Sequence, residues 1–227
     1  MRIGADGKVA MQESPNPPRI IPKGTMKLAD LAPLIRPRST TVRGVNWDTK
    51  TGQLTFPSDF SGEIATDVAT SDNVRYYTAK LANKMKEGED DIYIPFEHEQ
   101  QDYEYKENYL EKYVMVEKPL REGEQGGAGG SGLERHNFCH TDTPHEDIHK
   151  SGIFVLGKFL DDSETTLQLT GFFINRGDTL LVPAGVIHSN NYLRGEWTTM
   201  LAPNRSVEEV KLLKGGKKFH FTYRSFF

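Results

Sequence analysis

Histidine and acidic side chains are concentrated in one short segment of this 227-residue chain. Four of the seven histidines and three acids fall within residues 136–149, which read HNFCHTDTPHEDIH. Two pairs have the pattern His-x-Asp: His140 with Asp142, and His145 with Asp147. Residues i and i+2 of a strand point to the same side, so each pair would direct an imidazole and a carboxylate at one point. One more imidazole would complete a two-histidine, one-carboxylate face that suits Fe(II) and leaves coordination positions open.

A second segment, residues 177–191 (GDTLLVPAGVIHSNN), offers the additional imidazole. A Gly-Asp turn starts an apolar strand that ends at a Pro-Ala-Gly turn and presents His188. The metal ligands predicted from the two segments are His140, Asp142 and His188. The spacing leaves open a competing set of ligands, namely His145, Asp147 and His149.

The elements that position these ligands are predicted to be short strands joined by polar turns. Apolar runs bounded by Gly, Asp and Asn predict strands at residues 153–159, 165–173, 179–182, 197–201 and 218–223. Further short strands are expected within residues 40–70, at 93–95 and at 109–116. This even spacing is typical of a mainly β protein with a jelly-roll barrel and a few flanking helices.

Two segments have helical character. Apolar residues recur every three to four positions over residues 71–88, which predicts a helix packed on a sheet. A Ser-x-x-Glu capping box at residues 206–209 predicts a second, short helix that ends at Gly215.

Proline and glycine determine the predicted domain organisation. Residues 1–24 hold four prolines among glycines and charges, which predicts an extended N-terminal arm. Residues 25–227 are predicted to form a single jelly-roll domain. Within it, residues 122–132 (EGEQGGAGGSG) form a glycine-rich loop that lacks the pattern of a phosphate-binding loop and is interpreted as a lid or linker.

Composition narrows the classes of partner and compartment. A net charge of −4 gives no electrostatic reason to bind nucleic acid or an anionic membrane. The sequence shows no signal-peptide core and no run near the roughly 20 apolar residues of a membrane span. The single cysteine, Cys139, cannot form an intramolecular disulfide. We therefore expect a cytoplasmic protein without a nucleic-acid or membrane partner. Exposed sheet edges could pair it into a homodimer.

Residues 177–188 resemble the second signature of the cupin superfamily, which reads Gly, five residues, Pro-x-Gly, two residues and His. The asparagine usually found four positions after that histidine is Tyr192 here, and Asn191 lies one place earlier. If Gly157 ends the first cupin signature, His145 is the one ligand retained of three. The resemblance implies a cupin-like double-stranded β-helix.

Residues 109–202 are also similar to iron(II) and 2-oxoglutarate-dependent oxygenases of prolyl-hydroxylase type. In that family His-x-Asp is followed by proline, an apolar strand, a polar turn and a strand leading to a distal histidine. The corresponding stretches here are HTDTP, IFVLGKFLDD, TTLQL and GDTLLVPAGVIH. The resemblance implies 2-oxoglutarate as co-substrate and Fe(II) bound by His140, Asp142 and His188.

The same resemblance assigns roles to residues around the predicted iron. Trp197 stands where the family has a basic residue for the far carboxylate of 2-oxoglutarate, so Arg194 becomes the candidate for that role. Asn191 and Tyr192 would contact substrate at the mouth of the barrel. The remaining cluster residues would orient the ligand imidazoles; they are His145, Asp147 and His149.

Three functions remain open from the sequence. The first is a 2-oxoglutarate-dependent iron oxygenase that hydroxylates or oxidises a small molecule. The second is a metal-dependent cupin enzyme of another type, such as a dioxygenase without co-substrate or an isomerase, with ligands among His140, His145, His149 and His188. The third is a metal-free cupin that serves as a binding or dimerisation module, which Lys150 at the expected glutamate position favours.

Overall fold

The protein is described by a computed structural model that covers residues 2–3, 9–10, 35–82, 99–107, 115–119, 132–201 and 207–224. Most of the predicted arm at 1–24, most of the glycine-rich loop at 122–132 and the predicted strand at 93–95 lie outside these residues. The division into an arm and one domain therefore stays a prediction.

The described residues contain twenty strands and one α-helix. In chain order they are β1 (Arg2–Ile3), β2 (Val9–Ala10), β3 (Thr40–Arg43), β4 (Asn46–Asp48), β5 (Gln53–Phe56), β6 (Glu63–Ile64), β7 (Thr66–Val68), α1 (Ser71–Val74), β8 (Lys80–Ala82), β9 (Glu99–Glu107), β10 (Met115–Pro119), β11 (Gly132–Arg135), β12 (His140–Pro144), β13 (Phe154–Phe159), β14 (Thr166–Phe173), β15 (Thr179–Val182), β16 (Ile187–Ser189), β17 (Gly195–Leu201), β18 (Glu208–Lys214), β19 (Lys217–Lys218) and β20 (Thr222–Tyr223). The strands predicted at 153–159, 165–173, 179–182 and 197–201 are confirmed as β13, β14, β15 and β17.

Two large sheets form the body of the fold. One has six strands in the order β10-β9-β17-β12-β15-β8. The other has ten, in the order β3-β14-β13-β16-β11-β18-β5-β4, with β19 on β18 and β7 on β14. The pairs β1-β2 and β6-β20 make two small sheets. The protein is mainly β, with a strongly curled half-barrel sheet, so the predicted jelly-roll-like class is confirmed.

Successive side chains of a strand point to opposite faces of its sheet, and this alternation separates two apolar cores. Phe154 and Leu156 of β13 join Leu180 and Val182 of the facing six-stranded sheet, in what we call the inter-sheet core. The intervening Val155 belongs to a second core, on the other face of the ten-stranded sheet. Burying each of these large side chains contributes about 2 kcal/mol. Residues that point into the inter-sheet core are thus held between two firmly packed surfaces.

The helix predicted for residues 71–88 is wrong beyond its first turns. After α1 a single 3-10 turn carries the chain to Tyr77, and Thr78 then adopts a left-handed φ of 64°. Leu81 lies in β8, which pairs with β15. The helical spacing of Val74, Tyr77 and Leu81 arises because all three side chains are buried in the inter-sheet core.

The second predicted helix, which would end at Gly215, is also wrong. Glu208–Lys214 is strand β18, in which buried Val210 and Leu212 alternate with exposed residues. A period of two is the pattern of a half-buried strand, and it overrides the capping-box signal. The expected few flanking helices thus reduce, in the described residues, to α1 and one 3-10 turn. No helix in that part of the chain is long and apolar enough to cross a membrane.

Candidate metal centre

His140 begins β12, in the middle of the six-stranded sheet. Its cross-strand partner on β15 is Val182, a member of the inter-sheet core. Cross-strand partners share a face of the sheet, so the His140 imidazole also points between the two sheets. The side chain is buried there.

His188 reaches the same space from the opposite side. It is the central residue of β16 in the ten-stranded sheet, opposite Leu156 of the inter-sheet core, and it is completely buried. The turn before it requires a glycine, because Gly185 has a φ of 80°. The Gly185 amide donates to the carbonyl oxygen of His136 at 2.8 Å. This bond ties the His188 segment to the histidine cluster.

His136 lies in the connection between β11 and β12, and the sequence did not predict it as a ligand. Its ring stacks on Phe138, with centroids 3.7 Å apart and planes within 6°. Only 9% of the residue is exposed. Its membership of the 136–149 cluster was the one sequence signal for a role. The position of the ring depends on how the chain crosses from one sheet to the other.

These three histidines form one group. One nitrogen atom from each ring lies within 4.8 Å of the corresponding atoms of the other two, and Nε2 of His140 is 3.1 Å from Nε2 of His188. In the described residues this is the one group of three or more ligand-type side chains that can hold an ion. One ring comes from each large sheet and the third from the crossover between them. The group therefore forms only when the sheets pack.

In two of the three histidines, the ring nitrogen Nδ1 donates a hydrogen bond to a backbone carbonyl oxygen. Nδ1 of His136 is 2.7 Å from the carbonyl oxygen of Phe138. Nδ1 of His188 is 2.9 Å from the carbonyl oxygen of Val186. A carbonyl oxygen only accepts, so both rings carry a proton on Nδ1. In the neutral imidazole the lone pair is then on Nε2, as in metal-binding histidines whose other nitrogen is fixed by an acceptor.

In His140 a carboxylate takes the place of the carbonyl. Nδ1 lies 2.8 Å from Oδ2 of Asp142, although the two atoms are not aligned as a hydrogen bond. Oδ1 of Asp142 accepts a 2.8 Å bond from the Thr199 hydroxyl, and the carboxylate is 0% exposed. The negative charge beside Nδ1 favours the proton there, which leaves Nε2 as the free nitrogen.

The predicted ligand set is thus brought together only in part. His140 and His188 meet through their Nε2 atoms. Asp142 lies against the opposite nitrogen of the His140 ring, and His136 occupies the third place in the group.

Glu134 adds a carboxylate oxygen to the group. It is the β11 partner of His188, and its Oε1 lies 3.0 Å from Nε2 of that histidine. Its side chain is 24% exposed. The His-x-Asp pattern gave no reason to single it out, because its place beside His188 depends on the pairing of β11 with β16.

Burial and charge set different protonation preferences in this group. Burial, with the neighbouring imidazoles His188 and His140, lowers the pKa of His136 to about 4. Burial also opposes protonation of His188, but the Glu134 carboxylate outweighs it and raises the pKa of His188. Burial likewise opposes ionisation of Glu134, yet His188 lowers the pKa of this carboxyl. Glu134 and His188 therefore behave as an ion pair, and His136 is neutral near pH 7.

The competing ligand set remains apart from this group. Nε2 of His145 is bonded to the Thr198 hydroxyl at 2.7 Å. Asp147 and His149 are exposed, in the segment between β12 and β13.

The three residues predicted to bind co-substrate or substrate follow β16. The Arg194 side chain is exposed, and its amide donates to the carbonyl oxygen of Ser151. Asn191 is half-buried. Tyr192 is buried in the second core, and its hydroxyl accepts a 3.0 Å bond from the Phe221 amide. Burial raises the pKa of that phenol.

No known protein family, characterised protein or solved structure matches this chain. The mostly β, strongly curled sheet and the buried histidine triad are compatible with a cupin-like fold. That likeness rests on the architecture and on three side chains. The function is accordingly inferred from the chemistry of the site.

An open cleft of about 810 Å³ reaches the triad at His136. The cleft is lined by Thr49, Arg135, His136, Asn137, Ala184, Gly185, Val207, Glu208 and Glu209. The deeply buried His140 and His188 do not line it. A small molecule in this cleft would therefore meet the triad first at His136.

Proposed function

We propose that this protein is a metal-dependent enzyme that binds one divalent ion between its two sheets. The ligands would be His136, His140 and His188, with Glu134 as a fourth. The observation that carries the proposal is the 3.1 Å separation of Nε2 in His140 and His188. Two imidazole lone pairs repel each other at this distance unless a cation or a proton lies between them.

The donor set fits a divalent ion in charge as well as in distance. Asp142, buried against His140, and Glu134, against His188, bring two carboxylates to the group. Buried charges are costly unless they are paired, and a divalent cation would offset both carboxylates. Without metal, a proton on Nε2 of His188 would serve Glu134 and His140 together. Metal binding would displace this proton.

The chain's own residues would orient the ligands and control access. The carbonyl oxygens of Phe138 and Val186 fix the tautomers of two rings, and Asp142 does so for the third. Such outer contacts orient the ligands and raise their basicity. His136 is the one member of the triad that also lines the cleft.

Fe(II) is the ion we propose, and oxidation of a small molecule by dioxygen is the proposed reaction class. Imidazole with carboxylate suits iron, although zinc, copper and nickel also accept imidazole ligands. When bound, iron would supply redox chemistry with dioxygen. The charged co-substrate 2-oxoglutarate is not required by this proposal.

A 2-oxoglutarate-dependent oxygenase is the second candidate, and the sequence His140-Thr-Asp142 favours it. It has weaker support from the geometry. Asp142 contacts the rear of the His140 ring, Arg194 is exposed, and Arg135 in the cleft already pairs with two carboxylates.

The test is metal analysis of protein purified without chelator, followed by anaerobic loading with Fe(II). Nitric oxide, a stable probe for a coordination position open to dioxygen, should then give the electron paramagnetic resonance signal of an iron-nitrosyl. Oxygen uptake with and without 2-oxoglutarate separates the two candidates, since succinate release would favour the second. Protein that retains no metal and takes up none would contradict both, and would leave the metal-free binding module.

A further inference from the structure

Phe154 packs against two of the three histidines, although its side chain has no atom that binds a metal. Its ring centre lies 5.9 Å from that of His188, and the two planes are within 11° of parallel. The centre of the His140 ring lies 6.2 Å away, with its plane inclined by 38°. These histidines belong to different sheets. One fully buried apolar side chain therefore packs against a member of the triad from each sheet.

The register of the strands brings Phe154 to this position. Strand β13 begins at Phe154 and pairs with β16, so that Leu156 is directly opposite His188. Phe154 precedes Leu156 by two residues and shares its face of the sheet, which makes it a diagonal neighbour of His188. An aromatic ring is long enough to reach a diagonal neighbour. The contact with His188 is thus a direct consequence of strand pairing.

The polar contacts of the two histidines do not determine the tilt of their rings. Nδ1 of His188 donates to the Val186 carbonyl oxygen. Nδ1 of His140 lies beside the Asp142 carboxylate. A contact at one nitrogen fixes that atom, but the ring plane can still turn about it, and the lone pair of Nε2 lies in that plane. An aromatic ring packed on the face of an imidazole, in the offset arrangement that aromatic pairs favour, limits this turning.

We infer that Phe154 is a positioning residue, which holds the imidazoles of His140 and His188 at the separation that one ion needs. Two nitrogens that each bind an ion at about 2.1 Å cannot be more than about 4.2 Å apart. The Nε2 atoms of these histidines are 3.1 Å apart. The inference rests on the proposed metal-dependent function, and it assigns the packing of the metal site to a side chain that is not a ligand.

Phe154→Leu tests the role, because leucine leaves a space beside both imidazoles into which their rings can turn. Phe172→Leu is a closely matched control. Phe172 is the direct cross-strand partner of Phe154, belongs to the same core and is also 0% exposed. Its ring packs against Tyr77, with centres 6.0 Å apart, and not against the triad. The two variants therefore remove the same atoms from the same core at neighbouring positions.

Fe(II) affinity, measured anaerobically by competition with a chromophoric chelator, distinguishes positioning from general packing. Phe154→Leu should weaken Fe(II) binding by about tenfold or more, as the loss of an outer contact of a metal ligand does. Phe172→Leu should bind Fe(II) as the wild type does, although urea unfolding of the metal-free proteins should show a similar loss of stability in both variants. Equal Fe(II) affinities in the two variants would overturn the inference. If the leucine variants do not fold, methionine at each position fills more of the space and repeats the comparison.

Crystal structures of the metal-free variants keep the two proposals separate. The distance between Nε2 of His140 and Nε2 of His188 should exceed hydrogen-bond range in Phe154→Leu and stay near 3.1 Å in Phe172→Leu. A wild-type protein that takes up no metal would contradict the proposed function, and this distance would then decide the role of Phe154. An unchanged distance in Phe154→Leu would refute that role.

Discussion

Nε2 of His140 lies 3.1 Å from Nε2 of His188, although the two residues are 48 positions apart and belong to different sheets. Behind the rings, Nδ1 of His188 donates to the Val186 carbonyl oxygen, and Nδ1 of His140 lies 2.8 Å from the Asp142 carboxylate. The short distance is therefore built into the packing of the sheets. The following predictions use this arrangement.

Replacing His136 by alanine should reduce metal affinity by more than about 100-fold, because even an outer contact of a metal ligand is worth 10- to 100-fold. The matched control is His145→Ala, which removes a histidine from the same sequence cluster but not from the triad. The metal affinity of both variants can be measured from the metal content after dialysis and from competition with a chromophoric chelator. Equal losses in the two variants would refute the ligand assignment.

Metal binding should stabilise the fold. A metal concentration about 100 times Kd contributes about 2.7 kcal/mol, because the sites exist only in the packed protein. Thermal unfolding should therefore show a higher Tm with metal than with chelator. In His188→Ala protein the two curves should coincide; a persistent metal-dependent shift there would place the ion elsewhere.

Asp142→Asn should lower metal affinity by about 10- to 100-fold, because it removes the charge that holds the proton on Nδ1 of His140. Thr199→Val should have a smaller effect in the same direction, since Thr199 donates to Asp142. Thr143→Val provides the control, as Thr143 is a buried threonine bonded to Thr179 instead. Chelator competition ranks the three, and an Asp142→Asn protein with wild-type affinity would contradict the positioning role.

The metal-free protein should lose stability in acid through His136. Burial lowers the pKa of its imidazole from 6.5 to about 4, so the folded state favours the neutral ring. The corresponding contribution to stability is present above pH 6.5 and is lost as the pH falls toward 4. Urea unfolding at pH 7, 5 and 4 measures how the free energy of unfolding falls with pH. This fall should be smaller for His136→Gln than for the wild type. An equal fall in the free energy of unfolding for both proteins would show that His136 does not cause the loss of stability in acid.

Gly152→Ala should destabilise the protein by several kcal/mol. Gly152 has a φ of 73°, and a Cβ there would lie against the backbone oxygen of Tyr192. Left-handed conformation costs about 1 to 2 kcal/mol, and the steric overlap adds to it. Gly216→Ala, with a φ of 74° and nothing within 4 Å, isolates the conformational cost. Chemical unfolding of both variants should show the larger decrease in the free energy of unfolding for Gly152→Ala.

Much of the fold could be predicted because strands and turns leave local signals. The strand at 179–182 was predicted with the bounds of β15, and β13, β14 and β17 differ from prediction by a residue or two at their starts. The two predicted helices failed for a shared reason. Val74, Leu81 and Val210 are all buried by contacts with strands that are distant in the sequence. Burial of this kind can produce a helical spacing of apolar residues where no helix forms, or can obscure the alternation of a strand.

The sequence by itself determined the mainly β fold and marked His140 and His188 as candidate ligands, since turn residues, alternation and the His-x-Asp spacing depend on near neighbours alone. Tertiary structure decided which side chains surround them. The place of His136 depends on the crossover between sheets, and that of Glu134 depends on the register of β11 with β16. The β12 strand directs Asp142 and His140 to the same face, as expected, but the approach of His188 leaves Asp142 behind the ring. Those relationships join residues far apart in the chain, so no local pattern encodes them.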